Sequence, residues 1–213
     1  KYYEALQESA ETCIYNGKEI VTLDTELKER MGEQRFLVDD EKNIGYTMKV
    51  ERNKDGEIKE SQLLSFKTGK KADGKCSVVA EDVDVMMGAK DGDIYYLTDM
   101  DEGMGDLYCN EELIDSDVMI GTLEFTKEQK YPIYKTDYNT SKNLFTLKMF
   151  DGKNAKVIAD DAFDYKVVDE KKIAVLVDYD DDDSTGTLKL YRGKDKLIEL
   201  DDDVICLFGG MYN

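Results

Sequence analysis

The sequence predicts an all-β chain, a β-propeller of five four-stranded blades closed by pairing its N- and C-terminal strands. Three observations predict it. An apolar or alternating run ends in an aromatic residue just before a turn residue five times, at Tyr15, Phe66, Tyr108, Phe150 and Tyr191. A corner of the form apolar-x-x-acid-apolar follows each of those turns, with Glu26, Asp82, Asp117, Asp161 and Asp203 as its acids. The aromatic marks are 51, 42, 42 and 41 residues apart, and a four-stranded unit of about 40–45 residues is the period of a propeller blade.

Taken in order, the blades cover residues 1–27 together with 204–213, then 28–82, 83–117, 118–161 and 162–203, all within one domain spanning 1–213. Each opens with an apolar segment after the preceding corner: "QRFLVDD", "VDVMMGA", "VMIGTLEF", "FDYKVVD" and, at the end of the chain, "VICLFGG". A second segment follows, as in "NIGYTMKVE", "DIYYLTDMD", "PIYKTDYN" and "KIAVLVDYD". The third ends at the aromatic and turns on Gly or Asn, residues that accept the positive φ of a tight hairpin. The fourth runs to the corner. The long first step is explained by "RNKDGEIKES", an extended charged hairpin within 28–82. The chain begins at a second strand and ends after a first one, so joining its ends completes the fifth blade and removes two exposed sheet edges. Locally, "YYEALQESAET" and "DTELKERMGEQ" also suit a helix; the repeat alignment outweighs that reading.

Composition agrees with a β fold and narrows the partners. Hydrophobic residues make up 41% and charged residues 36%, with 14 tyrosines, one proline and neither tryptophan nor histidine. A net charge of −19 repels phosphate backbones and anionic lipid, so nucleic acid is excluded as an expected partner. No apolar run approaches the roughly 18 residues of a membrane span, so no membrane insertion is expected. The start at Lys1, in what reads as mid-strand, suggests a processed or trimmed chain. Cys13, Cys76, Cys109 and Cys206 form no CxxC pair, and buried free thiols are the expected state, ahead of one disulfide.

Two segments, "DIYYLTDMDEGMGDLYCNEELIDSDV" (93–118) and "TGTLKLYRGKDKLIELDDDV" (185–204), resemble the propeller repeats of secreted proteins from anaerobic Gram-positive bacteria, the TolB-like repeat proteins of unknown function. The resemblance extends over nearly the whole chain and is weakest in the first two copies. It implies an extracellular or cell-surface bacterial protein with a binding or scaffolding role, and it carries over no catalytic residue.

The candidate sites are weighed from the residues themselves. The corner acids read as structural, each accepting backbone N–H bonds at a crossover as in an Asx-turn; the rival is a ring of carboxylates at a propeller mouth. Calcium favours clustered hard oxygens on flexible loops, which makes Asp178, Asp180 and Asp182 the metal candidates, with Asp99, Asp101 and Asp106 behind them. Neither loop has the EF-hand glycine, since Met104 and Asp183 stand at the sixth position. The five marking aromatics are expected to pack between neighbouring sheets. Tyr2, Tyr3, Tyr95, Tyr96 and Tyr134 lie on second strands, where adjacent side chains point to opposite faces, so one of each adjacent pair is expected to reach a surface. Without histidine the Ser-His-Asp and Cys-His routes are closed. The expected function is therefore non-catalytic binding of a protein or glycan, by a monomer with no cofactor. The alternatives are a glycoside hydrolase working through two carboxylates and a structural spacer.

Overall fold

The computed structural model describes residues 12–25, 36–193 and 197–207. Among these the chain forms antiparallel β-strands, a single 3-10 turn at Gly69–Lys71, and no α-helix. The first pair, β1 (Cys13–Tyr15) and β2 (Ile20–Thr22), is a small hairpin with Tyr15 opposite Ile20. Its turn is held by Asn16 Oδ1, which accepts from the backbone N–H of Lys18 and Glu19 at 3.0 and 2.9 Å.

A four-stranded sheet follows, made of β3 (Phe36–Asp39), β4 (Ile44–Arg52), β5 (Ile58–Lys67) and β6 (Cys76–Glu81) in sequence order. A second has β7 (Val83–Gly88), β8 (Ile94–Asp101), β9 (Met104–Cys109) and β10 (Glu112–Met119), again in order. The expected charged hairpin falls between β4 and β5, where Arg52 pairs with Ile58. The remaining strands are β11 (Glu124–Phe125), β12 (Pro132–Asn139), β13 (Leu144–Phe150), β14 (Ala155–Asp169), β15 (Lys172–Asp180), β16 (Thr185–Tyr191) and β17 (Ile198–Val204). These form one seven-stranded sheet rather than two separate ones. The reason is β14, which runs 15 residues without a break. Its first half pairs with β13 and its second half with β15, and Ala162 pairs with both Phe145 and Val177.

The corner acids mark these crossovers. Asp82, Asp117, Asp161 and Asp203 have φ of 52°, 56°, 47° and 56°. Short polar side chains tolerate this left-handed backbone better than apolar ones do. The expected Asx-turn is not what they make: among the described residues no backbone N–H is bonded to any of these four carboxylates. A β-bulge accompanies the corner, because Val79, Ile158 and Leu200 are each an extra residue in the outer strand relative to its partner.

The chain forms two compact units, one within Lys1–Gly88, Gly92–Met100 and Leu107–Leu113, the other within Ala89–Asp91, Asp101–Asp106 and Ile114–Asn213. The first has a core of Leu63, Val83, Met86, Ile94 and Tyr96, flanked by Leu37, Tyr46, Met48, Val79 and Tyr108. The second is centred on Ile133, Phe145, Leu147, Ile173 and Val175. Each fully buried side chain of this size contributes about 1.5–3 kcal/mol relative to exposure. Among the described residues each sheet is open, with two edge strands. The pairing of the chain ends, and almost all of the two helix-compatible stretches, fall on residues outside those described.

Candidate functional site

The first unit holds a cavity of about 240 Å³. Leu63 of β5, Val79 of β6 and Ile94 of β8 supply its apolar wall, and Tyr46 of β4 and Tyr96 of β8 its aromatic one. The polar lining is Lys42, Asn110 and Glu111. Tyr96 is itself backed by Tyr108, whose ring stacks on it at 5.4 Å and 5°. The pair fixes the orientation of the Tyr96 ring, as offset aromatic stacking does. Burial raises the pKa of both Tyr46 and Tyr96 above the phenol value, so both stay protonated and can donate and accept. The nearby Glu111 carboxylate pushes both phenols in the same direction.

The β3–β4 tip positions Lys42. Asp39, only 5% exposed, accepts the Lys42 backbone N–H at Oδ1 (2.9 Å) and pairs with the Lys42 ammonium at Oδ2 (3.1 Å). The backbone bond lowers the Asp39 pKa, and the carboxylate in turn raises that of Lys42. A Cβ at Gly92 would lie 2.6 Å from Asp39 Oδ2, so the carboxylate sits there only because position 92 has no side chain.

The β9–β10 turn positions Glu111. Asn110 is fully engaged: its N–H donates to Ile94 O at 2.9 Å, its Oδ1 accepts from Ile94 N at 3.0 Å, and its Nδ2 donates to Asp93 Oδ1 at 2.7 Å. With φ of 50° at Asn110 and 86° at Glu111, the two residues form a tight turn of the kind that favours Asn-Gly. The lining thus presents one ammonium, one carboxylate and two phenols around an apolar wall.

The residues singled out from the sequence lie in several places. Phe66 and Tyr191 are buried, and Tyr108 and Phe150 half-buried. Tyr15 is 68% exposed, against the packing expected of it; among the described residues its hairpin β1–β2 is a sheet of two strands. Tyr95 and Tyr96 are both buried; a second strand covered on both faces leaves neither partner at a surface. Tyr134 is buried too, and Tyr2, Tyr3 and Glu26 lie outside the described residues.

The three metal candidates have separate tasks. Asp178, at φ 53°, is paired with Lys189 Nζ at 2.9 Å. Asp180 Oδ1 accepts from the backbone N–H of Asp182 at 2.8 Å, closing the hairpin tip. Asp182 is exposed. Among the described residues no three acidic or cysteine side chains converge to hold a metal. Asp99 accepts from the Thr98 hydroxyl at 2.9 Å, and Asp101 and Asp106 bring no further group to it. Among the described residues the four cysteines form no disulfide, and the burial expected of them is partial at most: Cys13 is exposed and Cys76, Cys109 and Cys206 are half-buried. Burial and the neighbouring Asp24 push the Cys76 thiol up to about 11, so it is not a thiolate at neutral pH.

Lys42, Tyr46 and Glu111 were not singled out in the sequence. The repeat gave no signal for Glu111: where three of the other turns place Gly17, Gly152 and Gly193, two residues after the aromatic and all at positive φ, this turn has Asn110.

No family model matches the chain, and no curated protein matches it. Three similar solved structures are a puromycin hydrolase S511A mutant (8% identity, TM-score 0.46, covering 86% of this chain and 30% of that one), the uncharacterized protein lmo1340 from Listeria monocytogenes EGD-e (11%, 0.45, 83% and 56%), and the β-propeller domain of the Trilobed protease from Pyrococcus furiosus (9%, 0.46, 85% and 59%). The chain therefore spans less than two thirds of the length of each of them.

Proposed function

We propose that the chain is a non-catalytic binding module of a secreted or cell-surface bacterial protein, with its sheets arranged as propeller blades, and that the cavity of the first unit takes one sugar ring of a glycan. The observation that carries this reading is the lining: an apolar and tyrosine wall faced by one ammonium and one carboxylate. Pockets for drug-sized ligands run from about 300 to 1,000 Å³, so 240 Å³ suits a single ring. A pyranose offers a C–H face to an aromatic or aliphatic wall and hydroxyls that both donate and accept. The mixed lining matches both features. A singly charged ligand of either sign would meet a like charge at Lys42 or Glu111.

The non-catalytic reading is part of this proposal: glycoside hydrolysis uses two carboxyl groups flanking the bond, and among the described residues Glu111 is the carboxylate that lines the cavity. Asp39 is committed to Lys42.

The test is a titration of the isotope-labelled chain with the methyl glycosides of mannose, galactose and glucose, followed by NMR. At least one should shift the backbone signals of Tyr46, Tyr96 and Glu111, with a dissociation constant of about 1 mM or tighter, the strength expected of a site this small. Silence with all three removes the carbohydrate reading and leaves the spacer role. Release of free sugar from aryl glycosides would instead make the chain a hydrolase.

A further inference from the structure

Lys135 stands on β12 where the other described repeats place an apolar residue. Leu176 of β15 has the same place one repeat later. It pairs with Leu188 as Lys135 pairs with Leu147, and each lies two residues before a left-handed aspartate, Asp178 or Asp137. Leu97 likewise lies two residues before Asp99. Met48 of β4 pairs with Leu63, three positions from the Phe66 pair, as Leu176 and Leu188 lie three from the Tyr191 pair. Leu97 and Leu176 have no exposed surface. A neighbouring side chain has changed with the lysine. A Cβ at Gly186 would lie 3.2 Å from Leu176 Cδ1; at the corresponding place in the earlier repeat is Phe145, and its ring centre lies 3.9 Å from Lys135 Nζ. The Tyr165 ring centre is 5.4 Å from the same nitrogen, and the two rings meet edge to face at 6.1 Å. Among the described residues the ammonium meets these rings and forms no ion pair or hydrogen bond. Burial lowers its pKa, and the charges of Asp164 and Glu124 oppose this only in part. A half-buried cation whose donors find no acceptor costs stability. A local rule broken at such a cost marks a functional position.

We propose that Lys135 is a covalent binding site for small uncharged aldehydes: its ε-amine condenses with the carbonyl to an imine, and the protonated imine keeps its positive charge over the rings of Phe145 and Tyr165. The ammonium first gives a proton to water. The Nζ lone pair then attacks the carbonyl carbon, the C=O π pair moves to oxygen, and proton transfer from nitrogen to oxygen gives a carbinolamine. Loss of water leaves the C=N bond. The step needs neither oxidant nor reductant. The setting favours the product. A desolvated amine is free to act as nucleophile at lower pH than an exposed one. The ammonium carries three N–H donors and the protonated imine one, so fewer donors go unmatched after condensation. The aromatic faces attract either cation. Lys135 and Tyr165 are half-buried, so part of the site stays open to solvent. A net charge of −19 disfavours aldehydes that carry a carboxylate or phosphate. Lys135, Phe145 and Tyr165 all belong to the second unit, and the proposal does not depend on the carbohydrate reading of the first.

The experiment treats the full chain at neutral pH with propanal and sodium cyanoborohydride, which reduces the imine to a stable propylamine, and follows each lysine by peptide mass spectrometry. Lys135 should be alkylated about five-fold or more faster than the exposed Lys59 and Lys127, and the lead should vanish in urea. Alkylation of Lys135 at their rate or slower overturns the proposal. A lead that survives in urea also overturns it, because the local sequence and not the fold would then activate the amine. Lys135→Met installs the residue that β4 carries at this place. It should remove the fast-labelled site and melt a few degrees above the wild type, since it replaces a half-buried cation that has no ion-pair partner among the described residues. A lower melting point would show that the lysine serves the fold, and would overturn its assignment to chemistry.

Discussion

Tyr134 has no exposed surface, and its hydroxyl donates to Asp115 Oδ2 at 3.1 Å. The same carboxylate oxygen meets Lys148 Nζ at 3.0 Å, with both charged side chains less than one fifth exposed. Burial, and then the Asp115 charge, raise the Tyr134 pKa far above the phenol value, so the hydroxyl is a permanent donor. Tyr134→Phe removes one bond to a charged acceptor that keeps Lys148, and should cost about 1.5–3 kcal/mol in urea unfolding. Asp115→Ala strands both a buried hydroxyl and a half-buried ammonium, and should cost more than Tyr134→Phe. The reverse order would mean that Lys148 reaches solvent when unpaired. Asp151 tests charge alone. It accepts from Lys153 N and Asn154 N, both at 3.0 Å, and pairs with Lys156 Nζ at 2.6 Å. The Lys156 contact comes first among the causes that lower its pKa to about 2. The folded value lies below the ordinary 3.8, so the ion pair adds stability above pH 4 and loses it as pH falls toward 2. Asp151→Asn keeps the turn acceptor and removes the charge. Its melting point should lie below the wild type at neutral pH, by the equivalent of about 1 kcal/mol for a partly exposed pair, and the gap should close near pH 2.

At the scale of elements, the crossover bulges decide how one sheet passes to the next. Asp161 is exposed, has φ 47°, and divides β14 between its two partner strands. Asp161→Gly should be neutral or stabilising within about 1 kcal/mol. Asp161→Val, β-branched at a left-handed position, should cost about 1–3 kcal/mol although it removes no contact. Equal stability of the two variants in urea melts would show that the backbone at 161 relaxes freely. These elements were largely legible in the sequence, because the marks that recur every 41 or 42 residues are themselves backbone requirements: a turn residue after the aromatic, and a short acid at the corner. The merged sheet was not legible, since nothing in "KVIADDAFDYKVVD" distinguishes a strand that ends at its bulge from one that continues through it. The acidic loop looks different in sequence and in fold for a related reason. In the sequence Asp178, Asp180 and Asp182 stand together by charge. In the fold they are sorted by turn position, with Asp180 doing what Asp39 and Asn139 do at their own hairpin tips, where each side-chain oxygen accepts from a backbone N–H two or three residues on.

For the whole molecule, the cavity and the charge behave differently under sequence reading. The cavity draws on Lys42 and Tyr46, on Leu63 and Val79, and on the stretch from Ile94 to Glu111. No local pattern connects these segments. The charge needs no structure at all: −19 over 213 residues means self-repulsion in the compact state. Exposed ion pairs such as Lys67–Asp73 and Lys172–Asp169 are screened by solvent and return too little to offset the remaining acids. Screening should therefore stabilise the fold. Raising sodium chloride from about 0.01 to 0.15 M shortens the Debye length from about 30 to 8 Å, and the melting point should rise. A fall would mean that attractive pairs dominate. The same melts decide the calcium question. A divalent ion held at a native site adds stability beyond screening, in proportion to the logarithm of its concentration. With Asp178 tied to Lys189 and Asp180 to its own turn, calcium and magnesium at equal ionic strength should give the same midpoint. A calcium-specific rise, lost on substituting Asp182 by Asn, would show that the loop rearranges to gather its carboxylates around the ion.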